Sequence, residues 1–106
     1  MDAQTQTTTY KFADIGPTNQ KHMSKIIQAL REKTTGPEGC RLQVYIINYG
    51  TTAQIKARKK LIFNSMNWRD GCGPDMVRIT WVDGPLEKRV RTAIWIVPVG
   101  REEPKL

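Results

Sequence analysis

Hydrophobic and polar positions alternate along this chain with two different periods. From Thr7 to Ala13, Thr8, Tyr10 and Phe12 alternate with Thr9, Lys11 and Ala13, and a period of two predicts a strand. Gly16-Pro17 ends it, and Thr18 or Asn19 offers a helix cap. Met23, Ile26, Ile27 and Leu30 then recur at helical spacing, which predicts an amphipathic helix over Gln20–Lys33. Leu42–Tyr49 (LQVYIINY) is β-branched and aromatic with no formal charge, as suits a central strand buried on both faces. After Gly50, Thr51 or Thr52 caps a second helix reaching to about Trp68. Met76–Val82 reads as a third strand with Val77, Ile79 and Trp81 on one face. Asp83-Gly84-Pro85 reads as a turn, and Arg89–Val97 as the fourth strand.

The order β-α-β-α-β-β predicts an α+β two-layer sandwich, a mixed four-stranded sheet with two helices on one face. The last two strands are expected to form an antiparallel hairpin, with Trp81 and Trp95 as cross-strand neighbours. At 106 residues the chain fits one domain, expected over 10–99, between a flexible polar segment (1–9) and a tail (100–106).

Composition narrows the function classes. Lys+Arg is 17 against 10 Asp+Glu, a formal net charge of +7, which fits phosphate, anionic lipid or acidic cell-wall polymers as partners and equally a solvated, soluble surface, since the charge is not concentrated in one block. The longest apolar run, Ala93–Val97 within Thr92–Val99, is far short of the roughly 20 residues of a spanning helix. No secretory signal pattern opens the sequence. His22 is the only histidine and reads as a cap or surface residue. Asp70, Asp75 and Asp83 are spread through loops without metal-ligand spacing, and Gly71-Cys72-Gly73-Pro74 lacks the Lys-Ser/Thr of a phosphate loop. No catalytic residue, cofactor or metal is expected.

Two further features carry chemistry. On a helical wheel of the second helix, Arg58 falls inside the apolar arc between Ile55, Ile62, Met66 and Leu61, Ala57. A charge there needs an internal acid, a route to solvent, or a ligand carboxylate held by its planar fork. Cys40 and Cys72 each precede a predicted strand. If those strands are parallel, the two sulfurs start at one end of the sheet and can form a disulfide in an oxidising compartment; the alternative is two thiols in the cytosol.

From Tyr10 to Val97 the element order and spacing resemble the OmpA-like domain, the peptidoglycan-associated module of bacterial envelopes. Tyr10-Lys11-Phe12 with Asp14 looks like that family's first strand, and Leu42–Gly50 like the strand before its ligand loop. Ala57-Arg58-Lys59-Lys60 looks like its helix with an arginine, and Lys88-Arg89-Val90 like the entry to its last strand. The resemblance implies non-catalytic binding of the peptide stem of peptidoglycan in the periplasm or at the outer membrane. It places the ligand over Arg58, beside Asn48, Tyr49, Gly50, Thr51 and Thr52. The chain departs from the family where Asn48-Tyr49-Gly50-Thr51 replaces a Gly-His-Thr-Asp-like stretch, where the loop to Arg58 is shorter, and where Lys59 replaces an alanine. The acidic half of the ligand clamp therefore does not carry over, and a divergent scaffold in an envelope assembly, binding envelope proteins with the ligand clamp lost, stays open beside wall binding. Truncating Arg58 is expected to weaken binding without unfolding the domain. The alternative function is a small basic cytoplasmic module that binds nucleic acid through Lys56, Lys59, Lys60, Arg89 and Arg91.

Overall fold

The structure, a computed structural model, describes residues 9–34, 41–66, 69–71, 76–100 and 104. The elements are β1 (Tyr10–Ile15), α1 (Gln20–Thr34), β2 (Leu42–Gly50), α2 (Thr52–Ser65), a two-residue β3 (Arg69–Asp70), β4 (Met76–Leu86) and β5 (Arg91–Pro98). The four long strands form a mixed sheet in the order β1-β5-β2-β4, with β3 beyond β4. β2 lies parallel to β4 and antiparallel to β5, and β5 is antiparallel to β1. This is the α+β sandwich that the periodicities predict.

Each helix begins where a polar side chain meets its first free amides. Asn19 Oδ1 accepts from His22 N at 2.9 Å to cap α1. Thr51 and Gln54 form a reciprocal capping box at the start of α2. Gln20 of α1 donates to Leu61 O and to the Ser65 hydroxyl, tying the two helices together. Their apolar stripes cover one face of the sheet. Met23, Ile27, Leu30 and Ile62 meet Val44, Ile46, Ile94, Ile96 and Val77 in one core. The opposite face carries a smaller cluster of Ile47, Tyr49 and Ala93, edged by Val82 and Trp95.

β4 and β5 do not form the expected hairpin. β2, the most apolar strand, takes the central place and pairs with both. The connection crosses the end of β2, where Glu87 N donates to Gly50 O at 3.0 Å. Trp81 and Trp95 consequently fall on opposite faces: Trp81 pairs with Ile46 beneath the helices, and Trp95 with Tyr45 on the other side. The expected turn at Asp83-Gly84-Pro85 is instead the continuation of β4. Gly84 is needed because the Tyr49 ring lies against it; a Cβ there would meet the ring at 2.6 Å. Pro85 is admissible near the end of a strand at the sheet margin. In β1 the alternation slips at Phe12, between Lys11 paired with Trp95 and Ala13 paired with Ile94. The bulge puts Tyr10, Ala13 and Ile15 under the helices, and Lys11 and Asp14 on the other face.

Candidate ligand site around Arg58

Arg58 is buried in the second turn of α2, within the apolar arc, at only 4% exposure. Its guanidinium bridges the helix layer to two strands. Nη1 donates to Thr92 Oγ1 of β5 at 2.8 Å and to Ile15 O of β1 at 3.4 Å. Nη2 donates to Gly16 O at 2.7 Å. Thr92 Oγ1 in turn donates to Asn48 Oδ1 of β2 at 2.7 Å. This direction orients the amide. Thr92 already accepts from Arg58, so its own hydrogen must find an oxygen, and that is Asn48 Oδ1. Asn48 Nδ2 is left buried without a partner among the described residues.

Every acceptor of Arg58 among the described residues is neutral. Burial pulls its pKa below the ordinary arginine value, with no carboxylate opposing the shift. Three of the five guanidinium N–H groups are used. The Nε hydrogen and one Nη2 hydrogen have no acceptor among the described residues, and Nε with Nη2 is the pair that a carboxylate engages side-on. Arg58 lines a groove with Pro17, Thr18, Gln54, Leu61 and Val90, none of them acidic. The arrangement can receive one carboxylate. It offers no acid for an ammonium partner.

The clamp is also structural. It holds the end of β1 and the start of β5 to α2, so truncating Arg58 strands three acceptors as well as opening the groove. Truncating Arg58 is therefore expected to cost stability as well as binding.

The other residues of the expected ligand loop divide between the two faces. Asn48 belongs to the Arg58 network, whereas Tyr49 points to the opposite face. Gly50 closes β2 at φ 143°, a conformation that favours glycine. Thr51 is spent on capping α2, and Thr52 lines a hollow beside β4 with Ile55 and Asp83. Sequence reasoning missed Thr92 and Gln54. A lone threonine among apolar strand residues was the available signal for Thr92.

The five basic residues of the alternative site do not converge. Lys56 and Lys60 are exposed on α2, and Lys59 is ion-paired with Asp83 of β4 at 2.7 Å. Arg89 is exposed in the β4–β5 connection. Arg91 lies on the opposite face, its guanidinium over the Tyr49 ring at 3.9 Å, bonded to Glu87 at 3.3 Å and beside Asp14 at 3.7 Å. Partial burial works against the Arg91 charge. The Glu87 hydrogen bond and the charges of Glu87 and Asp14 outweigh it, leaving its pKa above the ordinary value.

Cys40 and Cys72 both lie outside the described residues. Among the described residues no cluster of His, Cys, Asp and Glu has metal-binding geometry, and no helix is long and apolar enough to cross a membrane. Compared with known proteins, the chain matches no family model, no curated protein and no solved structure.

Proposed function

We propose that this chain is a non-enzymatic bacterial envelope module of the OmpA-like kind, holding a carboxylate of the peptidoglycan stem non-covalently at Arg58. One observation carries the reading. A buried guanidinium has only neutral acceptors, keeps two donors unspent, and borders a groove without acids. A cation in low dielectric without a counter-charge attracts an anion strongly, and the remaining donors favour a planar one. The element order on which the family resemblance rests adds support. Since none of the described residues lining the groove is acidic, binding rests on the carboxylate alone and is weaker and less selective than a two-ended clamp. A scaffold that has lost the wall ligand is the limiting case. Nucleic-acid binding has less support, because its proposed contacts are split between two faces and Lys59 and Arg91 already have carboxylate partners.

Co-sedimentation with purified peptidoglycan at two salt concentrations tests the proposal. Gln54→Glu is the informative variant. It preserves the capping box, since glutamate serves at that position, and places a negative charge on the groove. Arg58→Lys keeps the charge and loses the fork. Both are expected to lower retention by about tenfold with the fold intact by circular dichroism. Full retention of Gln54→Glu removes the site. Retention that collapses at the higher salt for every variant alike, together with binding to single-stranded DNA, favours the basic module instead.

A further inference from the structure

We infer that the furrow between α2 and the outer edge of β4 is a docking site for an extended, acidic peptide segment, which adds to the sheet as a strand. This inference does not depend on the Arg58 reading. Among the described residues, three large hydrophobic side chains are exposed, and two of them, Phe63 and Leu86, each at 69%, rim this one furrow. Leu86 sits at one end with Ile55, Lys56 and Lys59. Phe63 sits at the other with Lys60, Trp81 and again Lys59. α2 and β4 run in opposite directions along it. From Thr52 to Phe63 the helix rises about 16 Å, and from Leu86 back to Trp81 the strand covers about 16 Å. The furrow therefore matches roughly five residues of extended chain.

Its floor is a sheet margin. β3 pairs with β4 only at Met76 and Val77. From Thr80 to Leu86, β4 pairs with β2 on its inner side, and no described strand takes its outer side. Up to Gly84, ahead of Pro85 with its missing N–H, the open edge offers alternating N–H and C=O groups, the template for strand addition, and an aromatic pair beside it supplies a pocket for one side chain. Charge chooses the occupant. Lys56, Lys59 and Lys60 line the helix side, and the one acid of the furrow, Asp83, is taken by Lys59 at 2.7 Å. The surplus is positive along the whole length, so the complementary strand carries Asp or Glu around an aromatic or aliphatic anchor.

Selection of a random peptide library on the purified full chain supplies the probe. The expected winners are rich in Asp and Glu with one large apolar residue. A selected peptide should shift the backbone amide resonances of Thr80–Gly84 on titration. Phe63→Ser and Lys60→Glu change exposed side chains only, and each should weaken that peptide by about tenfold. Winners with no acidic excess, or binding that neither variant alters, overturn the inference. So does a concentration-dependent dimer, seen by sedimentation velocity and abolished by Phe63→Ser, which would give the furrow to a second copy of the chain.

Discussion

Arg58 and Arg91 approach neighbouring positions of the sheet from opposite sides. Arg58 comes from α2 and bonds Thr92; Arg91 is the next residue along β5 and points the other way. Both side chains are ordered by neighbouring groups, but the electrical accounts differ. Arg91 is one-third exposed, stacks on Tyr49 and faces the carboxylates of Glu87 and Asp14. Its charge is met within the chain. Arg58 is buried and meets carbonyls and a hydroxyl. Its charge is solvated by dipoles alone. A basic residue already paired with acids has little left to offer an anion, while one held by neutral acceptors in a low dielectric keeps nearly all of its field. The less visible arginine is therefore the better binding candidate.

Three substitutions separate the two cases, in falling order of effect, and a fourth probes a separate buried group. Arg58→Ala leaves the carbonyls of Ile15 and Gly16 and the Thr92 hydroxyl without their donor and opens a cavity. It should cost about 3 kcal/mol by urea unfolding. Thr92→Val keeps the shape and removes the relay, stranding one Arg58 Nη1 hydrogen and Asn48 Oδ1 at once. A loss of about 2 kcal/mol is expected; an unchanged midpoint would show that the network is not maintained in solution. Arg91→Ala removes a ring contact and two partly exposed ion pairs, which screening keeps small. About 1 kcal/mol is expected, falling as salt is raised, and a loss equal to that of Arg58→Ala would erase the contrast drawn between the two arginines.

The smallest effect is at Tyr10, whose hydroxyl is buried without a partner among the described residues and whose pKa is raised by that burial. Tyr10→Phe should be neutral or stabilising by up to about 1 kcal/mol. The folded protein holds the Tyr10 proton to higher pH than the unfolded chain. Stability from this group is thus full below the ordinary phenol value of about 10 and is lost as pH rises from there through the raised value. Tyr10→Phe should flatten that alkaline decline, measured as the difference between the two unfolding curves. An identical decline in both proteins would show that Tyr10 is not its source.

The elements with a single consistent period were legible in the sequence. Met23, Ile27 and Leu30 are all buried in α1, which runs Gln20–Thr34, and LQVYIINY is the central strand. Arg58 stood out because a charge broke an apolar arc, and it is buried there. What was not legible was set by contacts distant in sequence. Asp83-Gly84-Pro85 has turn chemistry, but Tyr49 presses on Gly84 from the neighbouring strand and keeps the segment extended. The hairpin expectation assumed that strands close in sequence pair, whereas β2 outcompetes β4 for β5 because it is apolar on both faces. The site was half visible. Arg58 lies on a face predictable from its helix, but the neutrality of its surroundings depends on Ile15, Gly16 and Thr92, which two other segments of the chain bring to it.

The place of β5 has a consequence for how the domain comes into being. β5, which follows the other described strands in the chain, is inserted between β1 and β2, so the sheet has no finished half before Arg91–Pro98 is available. A nascent chain lacking that segment has β1 with no neighbour and β2 with one side open. The hydroxyl that anchors Arg58 also arrives last, at Thr92. Folding therefore waits for nearly the whole chain and then closes contacts of long sequence separation in one step, a route that is slow for the size of the domain and leaves few stable partial products. A stop codon or a cut anywhere ahead of β5 should yield an unfolded polypeptide and not a smaller working piece.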